Sequence, residues 1–577
     1  MPGQQILLKI EFLRIQTFLF AIPRLKPMLG ANALLGRVMR YELPKLAGYR
    51  PAKHSKLFPH SADPLEKALY TLASHDNQII INRRRDDPEG LRESGILTRD
   101  GGHFQAVFNN PQEAEAFRER ATTIITERLP GLRFEIELYE LQSGQPLRTR
   151  PTETTTNIAE LPHFRVCEET GTEMASVLDR DDKARSRRAA ALMEAGKAFQ
   201  QGSRKGHQSH LPGYDIISLL QNQFPGYSQI PAPEDLQQLA GPGGYIAVIH
   251  ADGNSIGERR RRWADTVPKT DRMAYEAHNE TFFHAMRRAI RTSLVGALED
   301  VFATELNDSN HLPYQVLMLG GDDLVLVCQA RFALAFVRRY AEHLQNHPIP
   351  WQHGETRPIS IGAGVAIARY NIPFHRLHSL AEQLASSAKQ LYRLQRRDDQ
   401  NVLPERSVVD WLVTTASWAD SPAAHRQRHQ LLRYPVGATT ETLALTGKPY
   451  FILPAATPSS PTPETLAGLL DAAKTLLSLS VSPRADQQPL ARSQLKNLAQ
   501  ALHQGRRSAQ MAFRNLPEAI RHSLQAQDSG GLTAENLFFH DSGFPDHHYL
   551  SRFPDLLELM EIEQLGRKDR RAQEEAP

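Results

Sequence analysis

The clearest hydrophobic pattern lies between residues 245 and 305. Residues 245–251, YIAVIHA, form a nearly continuous apolar run, which predicts a buried strand that ends at Asp252. Residues 273–305 then carry apolar side chains at every fourth position, namely Phe282, Met286, Ile290 and Leu294. That spacing predicts a helix with one apolar face after the strand.

The next segment predicts two strands joined by a tight turn. The runs YQVLML and LVLVC flank the sequence GGDD, residues 320–323. Glycine supplies the positive φ angle that tight turns require, and it lets a ligand approach the backbone closely. A predicted helix follows, and its apolar face comprises Phe332, Phe336, Tyr340 and Leu344.

A further strand, helix and strand complete the pattern. PISIGAGVAIA predicts a buried strand, LAEQLASSAK lies in a predicted helix, and SVVDWLV predicts another strand. The order βαββαβ is that of the ferredoxin-like fold, which polymerase palm domains share. In that fold the end of the first strand lies beside the hairpin turn between the next two.

Three carboxylates are therefore expected to converge, those of Asp252, Asp322 and Asp323. Taken alone, GGDD fits a solvated hairpin turn as well as it fits a metal site. Three adjacent acids repel one another unless cations neutralise them, and oxygen ligands of this kind suit Mg²⁺ or Mn²⁺. Two such ions can stabilise the attacking and leaving oxygens of nucleotidyl transfer. The pattern thus predicts a two-metal site at the hairpin.

A degenerate copy of the same pattern precedes it. LLKIEFLRIQTF aligns with IAVIHADGNSIG, and Glu11 falls at the position of Asp252. ILTRDGGHFQAVF aligns with the GGDD hairpin, and His103 and Phe104 replace the two aspartates. Coincidence between two common βαββαβ units is the alternative, but the shared GG favours duplication. Lacking ligands for two metals, the first copy is expected to pack against the active copy or to contribute to its nucleotide pocket.

Length and composition indicate a cytoplasmic multidomain protein. A chain of 577 residues is too long for one ordinary core, and its net charge of +3 is too small to argue for nucleic-acid binding by itself. Two cysteines, Cys167 and Cys328, exclude a disulfide framework and fit a reducing cytoplasm. The start MPGQQ is not a secretory signal, and the sequence has no apolar run long enough to span a bilayer, so no membrane association is expected.

The predicted fold class is α+β, with two ferredoxin-like palm domains, an intervening mostly helical region and a C-terminal helical domain. The predicted domains are a degenerate first palm at 1–145, a linker and helical region with a degenerate zinc-ribbon-like remnant at 146–240, the GGDD palm at 241–415 and the C-terminal domain at 416–577. PAATPSSPTPE is a Pro/Ser/Thr-rich connector within the last of these.

Two palm domains, of which the second carries GGDD and the first is degenerate, resemble the large subunit of type III CRISPR effector complexes. IEFLRIQTFLF with MLGANALLGRVM is similar to that family's first palm, and SIGAGVAIARYNIPFHRLHSLAEQLASSAK is similar to its second. LTGKPYFILP resembles the region beyond the second palm. The resemblance implies an enzyme that converts ATP to cyclic oligoadenylates when its complex, with other effector subunits and crRNA, binds target RNA.

By this resemblance Asp252, Asp322 and Asp323 are the catalytic carboxylates that hold two Mg²⁺ or Mn²⁺ ions. The residues implied in nucleotide binding are Gly253, Asn254, Ser255, Gly320, Gly321 and Lys389. Lys389 would neutralise the triphosphate, although a lysine on a helix is more often a solvated surface charge. The chemistry needs no protein nucleophile, because the 3′-hydroxyl of one nucleotide attacks the α-phosphate of the next.

Two features depart from the family pattern. Many members begin with an HD nuclease domain, but here the first palm begins almost at Met1, and the pair His540-Asp541 is interpreted as a loop. DNase activity is therefore expected to be absent. In VCEETGTEMA, Thr170 stands where the family's zinc-binding C-x-x-C-G has its second cysteine. Structural zinc normally takes four Cys or His ligands, so zinc is not expected there, and Cys167 is interpreted as a small buried apolar residue.

A run of four arginines, residues 259–262, follows the DGN loop directly. Such runs are most often exposed helix faces, but near a phosphate site they attract nucleotide or RNA backbone. Three functions remain open: a cyclase within a CRISPR complex, a stand-alone cyclase closer to diguanylate cyclases, and a non-catalytic scaffold. GGDD in place of GGDEF argues against the second, and an intact carboxylate triad argues against the third.

Overall fold

A computed structural model gives the fold. It describes residues 5–49, 91, 94–99, 102–141, 166–171, 173–178, 183–204, 230–241, 243–266, 272–305, 311–351, 355–398, 406–414, 421–437, 439–454, 465–481, 492–518, 521–522, 537–540 and 547–565. No helix within these ranges combines the length and the apolar character that crossing a bilayer would require.

The N-terminal region forms a four-stranded sheet with the strand order β2-β3-β1-β4. Its elements are β1 (Ile6–Leu13), α1 (Ile15–Leu19), α2 (Leu25–Arg37), a π-helical turn (Val38–Glu42), α3 (Leu43–Leu46), β2 (Ile96–Thr98), β3 (His103–Phe108), α4 (Pro111–Arg128) and β4 (Arg133–Glu140). Strand β1 is antiparallel to both β3 and β4. This order is the ferredoxin-like one, so the predicted fold of the first copy is confirmed.

Helix α4 covers this sheet with an apolar face. It begins after Asn110, whose side chain accepts a hydrogen bond from the backbone N–H of Glu113. The buried residues are Ala114, Phe117, Ala121 and Ile125. Their spacing of three or four residues follows the 3.6-residue period of the helix, so they share one face.

A short region separates the two sheets. It contains β5 (Val177–Leu178), β6 (Ala184–Arg185), α5 (Arg187–Arg204) and α6 (Leu236–Ala240). Strands β5 and β6 pair antiparallel, and α5 packs along α2.

The second sheet has six strands in the order β16-β13-β12-β7-β9-β8. Its region contains β7 (Tyr245–Gly253), α7 (Ile256–Ala264), α8 (Arg272–Phe302), a 3₁₀ turn (Ala303–Glu305), β8 (Tyr314–Gly320), β9 (Asp323–Gln329), a 3₁₀ turn (Ala330–Phe332), α9 (Ala333–Gln345), β10 (Ile349–Pro350), β11 (Thr356–Arg357), β12 (Ile361–Arg369), α10 (Phe374–Asp398) and β13 (Val408–Val413). The order β12-β7-β9-β8 repeats the order β4-β1-β3-β2 of the first sheet. The predicted second ferredoxin-like unit is therefore confirmed.

The C-terminal region is mainly helical but also contains a small sheet that the sequence pattern did not predict. Its elements are α11 (Pro422–His429), β14 (Leu431–Val436), β15 (Thr439–Ala444), β16 (Tyr450–Phe451), α12 (Leu466–Val481), α13 (Arg492–Leu502), α14 (Arg506–Arg514), β17 (Phe539–His540), β18 (His548–Leu550) and α15 (Phe553–Glu563). The small sheet has the order β14-β15-β18-β17. Strands β14 and β15 form a mostly exposed or half-buried hairpin, and β17 and β18 have only two and three residues.

Two compact units divide the chain, and neither is continuous in sequence. The first comprises Met1–Leu239, Ser255–Leu326 and His347–Pro358. The second comprises Ala240–Asn254, Val327–Asn346 and Ile359–Pro577. The GGDD loop thus belongs to the first unit, whereas Asp252 and helix α10 belong to the second.

Helix α10 approaches β12 closely because Gly364 has no side chain. A Cβ atom at Gly364 would lie 2.0 Å from the carbonyl oxygen of Ala381 and 2.3 Å from the backbone nitrogen of Ala385. We expect Gly364→Ala to force the helix away from the strand and to lower the free energy of unfolding by about 1–3 kcal/mol or more. Urea unfolding followed by circular dichroism measures this loss.

The control for that substitution is Gly257→Ala in α7. A Cβ atom at Gly257 would meet no other atom within 4 Å. The free energy of unfolding of the Gly257→Ala chain should therefore be unchanged or slightly higher. Equal stability of the Gly364→Ala chain and the unaltered chain would contradict the close-packing argument.

Candidate active site

The GGDD sequence forms a two-residue hairpin loop. Strand β8 ends at Gly320, Gly321 and Asp322 form the loop, and Asp323 begins β9. Gly321 has a φ of 61°, which a side chain would disfavour, so glycine at this position fits the required backbone conformation. All four residues are partly exposed. The hairpin therefore presents two carboxylates at an accessible end of the sheet.

A cavity of about 770 Å³ in the first unit includes this loop in its wall. Roughly 300–1,000 Å³ is the usual range for small-molecule sites, so the cavity is large enough for a nucleotide. Gly321 and Asp322 contribute from the hairpin, and α7 and α8 contribute Gly257, Arg260, Tyr275, Asn279 and Arg287 among others. The first copy contributes Lys9, Glu11, His103, Gln105, Glu135 and Glu137 among others. The lining thus combines residues of the degenerate copy with the hairpin.

The charges of this cavity are mixed. Lys9, Arg260 and Arg287 supply cationic groups, whereas Asp322 lies in the wall together with the acidic residues of β1 and β4. Such a lining can pair cations with phosphate oxygens while carboxylates hold metal ions. The sequence pattern singled out Arg260 within the run 259–262 but not Lys9 or Arg287, because the proximity of these cations depends on long-range packing.

A smaller cavity of about 200 Å³ lies at the same hairpin. Its wall includes Gly320–Asp323 together with Gly102, Arg40 and Arg99. Arg99 is almost fully buried and donates a hydrogen bond to the carbonyl oxygen of Arg40 at 3.2 Å. The glycine of the degenerate hairpin, Gly102, and the glycines of the GGDD hairpin thus line one cavity.

In the second unit, Asp252 near the end of β7 forms an ion pair with Lys389 of α10. The Lys389 ammonium also donates to the carbonyl oxygen of Gly253 at 3.3 Å. Gly362 leaves the space for this lysine, since a Cβ atom there would lie 2.5 Å from Lys389 Cγ. Lys389 therefore already neutralises Asp252, and its predicted role at the triphosphate stays a prediction.

The residues after Asp252 have different surroundings. Asn254 is buried, and its backbone N–H and side-chain Nδ2 donate to the Ser360 carbonyl and hydroxyl oxygens at 2.8 and 3.3 Å. Ser255 adopts a left-handed conformation with a φ of 55° and directly precedes α7. Asn254 thus fixes the end of β7, and the predicted nucleotide contacts of Gly253, Asn254 and Ser255 stay predictions.

The four arginines of α7 divide into different roles. Arg259 is buried and donates to the carbonyl oxygens of Pro358 and Arg357 at 2.7 and 3.0 Å. Arg262 pairs with Glu258 at 2.7 Å, and Arg261 is exposed. Arg260 alone of the four lines the large cavity. The run is therefore neither a uniform surface face nor a uniform phosphate-binding patch.

The degenerate copy shows which positions face each other at such a hairpin. In the antiparallel pairing of β1 with β3, Glu11 lies opposite His103. Glu11 aligns with Asp252, and His103 aligns with Asp322, although β3 begins at His103 whereas β9 begins one position later, at Asp323. The register of the first copy therefore places the counterparts of Asp252 and Asp322 opposite each other.

Carboxylate oxygens are the donors at this hairpin that fit Mg²⁺ or Mn²⁺. Asp322 and Asp323 are adjacent and partly exposed. Asp252 has a side chain that is 34% exposed and forms an ion pair with the Lys389 ammonium group. The donor set thus fits divalent metal ions.

Two departures from the family pattern were predicted from the sequence, at Cys167 and at His540-Asp541. Cys167 is fully buried, as predicted. Burial acts to raise the pKa of its thiol, but hydrogen bonds with Thr170, Ser186 and Glu169 lower the pKa overall. His540 lies in the short strand β17 rather than in a loop, and Asp541 lies outside the described residues.

Residues 245–398 match the family model described as Cas10/Cmr2, second palm domain. This segment is therefore similar to the second palm domain of Cas10/Cmr2 proteins. It includes Asp252, the GGDD hairpin and Lys389, so the resemblance inferred from these motifs is confirmed for this part of the chain.

Solved structures with the Csm1–Csm4 cassette show a more distant similarity. A chain of the complex with one ATP has 12% identity and a TM-score of 0.35, and the match covers 67% of this chain and 53% of that chain. The apo cassette gives 13% identity and a TM-score of 0.35, with coverage of 70% and 54%. The complex with cA4 gives 12% identity and a TM-score of 0.34, and the match covers 67% of this chain and 53% of that chain. The chain thus spans about half the length of these chains. No curated protein matches it.

Proposed function

We propose that this chain is a metal-dependent nucleotidyltransferase that converts ATP to cyclic oligoadenylates within a type III CRISPR-like effector. The observation that carries the proposal is the Cas10-type palm domain whose GGDD hairpin lies in the wall of a nucleotide-sized cavity. Other effector subunits, crRNA and target RNA are the proposed partners. The family resemblance supports them.

In this proposal Asp252, Asp322 and Asp323 hold two Mg²⁺ or Mn²⁺ ions. Bound ions would neutralise charge on the α-phosphate and activate the attacking 3′-hydroxyl. The equivalent positions of the first copy, Glu11 and His103, face each other in its register, which supports convergence of Asp252 with the hairpin. In the first copy, His103 and Phe104 follow the two glycines in place of two aspartates. That copy therefore lacks the carboxylates for two metal ions, and catalysis is assigned to the second copy only.

The chain's own side chains would bind and orient the nucleotide. Lys9, Arg260 and Arg287 of the large cavity supply cations for the triphosphate oxygens. Gly320 and Gly321 leave the hairpin backbone open to a close approach by phosphate. Lys389 would hold the Asp252 carboxylate in place through their ion pair. Positioning and charge neutralisation then supply most of the rate enhancement.

The test is incubation of the purified chain with ATP or GTP and with Mg²⁺ or Mn²⁺, alone and within an effector complex with matched target RNA. Cyclic oligoadenylates, separated by chromatography and identified by mass, are the expected product. Products that form from GTP without a complex would favour the stand-alone cyclase. No oligonucleotide product in any condition would overturn the proposal.

Substituting Arg260 tests the cavity separately from the metal ligands. We expect Arg260→Ala to raise the KM for ATP about tenfold to a hundredfold, because a hydrogen bond to a charged group contributes roughly 1.5–3 kcal/mol. Arg261→Ala is the matched control, since Arg261 is exposed on the same helix and donates to the carbonyl oxygen of Gly257. Equal KM values for the two variants would exclude this cavity as the triphosphate site.

A further inference from the structure

The second unit contains a group of three side chains of the kinds that can hold a metal ion. It consists of His250 on β7 and of His378 and Glu382 on α10. One ligand atom from each residue lies within 4.8 Å of the others. His378 and Glu382 are four residues apart, so they share one face of the helix. We call these three residues the His-His-Glu cluster.

The cluster is largely buried but reaches solvent at one side. His250 and His378 are each 6% exposed, whereas the Glu382 side chain is 37% exposed. The Nδ1 atom of His250 has no hydrogen-bond partner among the described residues. A buried ring nitrogen normally has a partner, because leaving it unpaired costs about 1–3 kcal/mol. A bound cation would give this nitrogen atom a partner.

The side chains of the cluster supply donor atoms that suit a cation. Neutral imidazoles carry the lone pair that a metal requires, and a bound cation would offset the burial of the carboxylate.

We propose that the His-His-Glu cluster binds one zinc-class divalent cation. Two imidazole nitrogens and one carboxylate oxygen suit zinc and its transition-metal neighbours, whereas Mg²⁺ prefers oxygen ligands throughout. Three protein ligands leave a further position to water, and the exposed edge at Glu382 gives an entry path. The ion would tie β7 to α10 on the same face from which Asp252 and Lys389 make their ion pair.

This cation is chemically distinct from those at the GGDD hairpin. His250 and Asp252 are two residues apart on one strand, so both point to the same side of the sheet. The alternative is that the two imidazoles are packing groups only, since His250 lies edge-on to His378 at a ring distance of 5.7 Å and Phe374 stacks on His378 at 6.1 Å. The two alternatives differ in whether a metal ion is retained.

The experiment uses the full chain, stripped with a chelator and then titrated with Zn²⁺ or Co²⁺. We expect about one tightly held ion per chain, a cobalt absorption band of a site with nitrogen ligands, and a higher Tm with zinc than without. His378→Gln and Glu382→Gln should each lose the ion, the band and the rise in Tm. Their circular dichroism spectra, compared with that of the unaltered chain, show that the variants are folded.

Two controls separate this site from others. His375→Gln changes an exposed histidine on the same helix, and His429→Gln removes one member of the His425–His429 pair on α11, whose rings are 4.9 Å apart. Neither substitution should change the amount of tightly held zinc per chain. The Asp322→Asn/Asp323→Asn chain should also retain the zinc ion. Loss of zinc from the His-His-Glu cluster is therefore distinguishable from failure of the proposed transferase. Equal zinc retention by His378→Gln and the unaltered chain would overturn the proposal.

Discussion

Replacing Asp322 and Asp323 together by asparagine is expected to reduce oligoadenylate formation by at least about a thousandfold. A bound metal ion stabilises transition-state charge by several kcal/mol, and roughly 1.4 kcal/mol corresponds to a factor of ten in rate. Asparagine keeps the size of each side chain but removes both negative charges. The hairpin is partly exposed and Gly321 is unchanged, so the fold should remain intact. Product formed per unit time from ATP with Mg²⁺ is the measurement.

The matched control for this double variant is Asp265→Asn. Asp265 is exposed at the end of α7, in the same unit as the hairpin, and should leave the rate unchanged. Binding of ATP in the absence of metal should persist in the double variant, because the cavity cations remain. An unaltered rate for Asp322→Asn/Asp323→Asn would exclude these carboxylates from the chemistry, whatever product the chain makes.

The parts of the fold that could be predicted are those in which local pattern determines structure. The apolar run before Asp252, the GGDD turn and the helix with Phe336, Tyr340 and Leu344 each carry their own periodicity, and all three are present. The duplicated strand order followed from the same reasoning. Turn glycines and strand alternation act over a few residues, so one sequence is enough to find them.

What could not be predicted depends on contacts between distant segments. Arg259 and Arg260 are neighbours in sequence, yet one donates to backbone carbonyls near residue 358 and the other lines the large cavity. Nothing in the run RRRR distinguishes them. The contribution of Lys9 to that cavity, and the approach of His378 to His250, likewise arise only after the chain has folded.

The motif LTGKPYFILP shows the same limit, because its structural role depends on a helix more than a hundred residues later. Asp555 of α15 accepts hydrogen bonds from the Thr446 hydroxyl, the Gly447 backbone N–H and the Tyr450 hydroxyl, at 2.8, 2.7 and 2.7 Å. Lys448 lies 3.7 Å from the same carboxylate, and both side chains are 1% exposed. Burial raises the pKa of Asp555, which these donors and the Lys448 charge oppose.

Replacing Asp555 by alanine is therefore expected to lower the free energy of unfolding of this region by about 3–5 kcal/mol, because each buried donor that loses its acceptor costs about 1–3 kcal/mol. The Thr446 hydroxyl and the Gly447 N–H would lose their acceptor, whereas Lys448 keeps its ion pair with Glu558. The Tyr450 hydroxyl, which is buried, would lose its acceptor at the same time. Limited proteolysis in increasing urea, followed at peptides of the C-terminal region, measures the loss without requiring the whole chain to unfold in one step.

The comparison that makes this result specific is Asp471→Ala. Asp471 also forms an ion pair, with Arg338 at 2.6 Å, but its side chain is 61% exposed. Solvent screening limits such a pair to about 0–1 kcal/mol, so this variant should unfold almost as the unaltered chain does. Equal losses of unfolding free energy in the two variants would mean that the buried Asp555 contributes no more to stability than the exposed Asp471. The motif would then be held in place by apolar packing around Trp411 and Tyr450 rather than by its polar network.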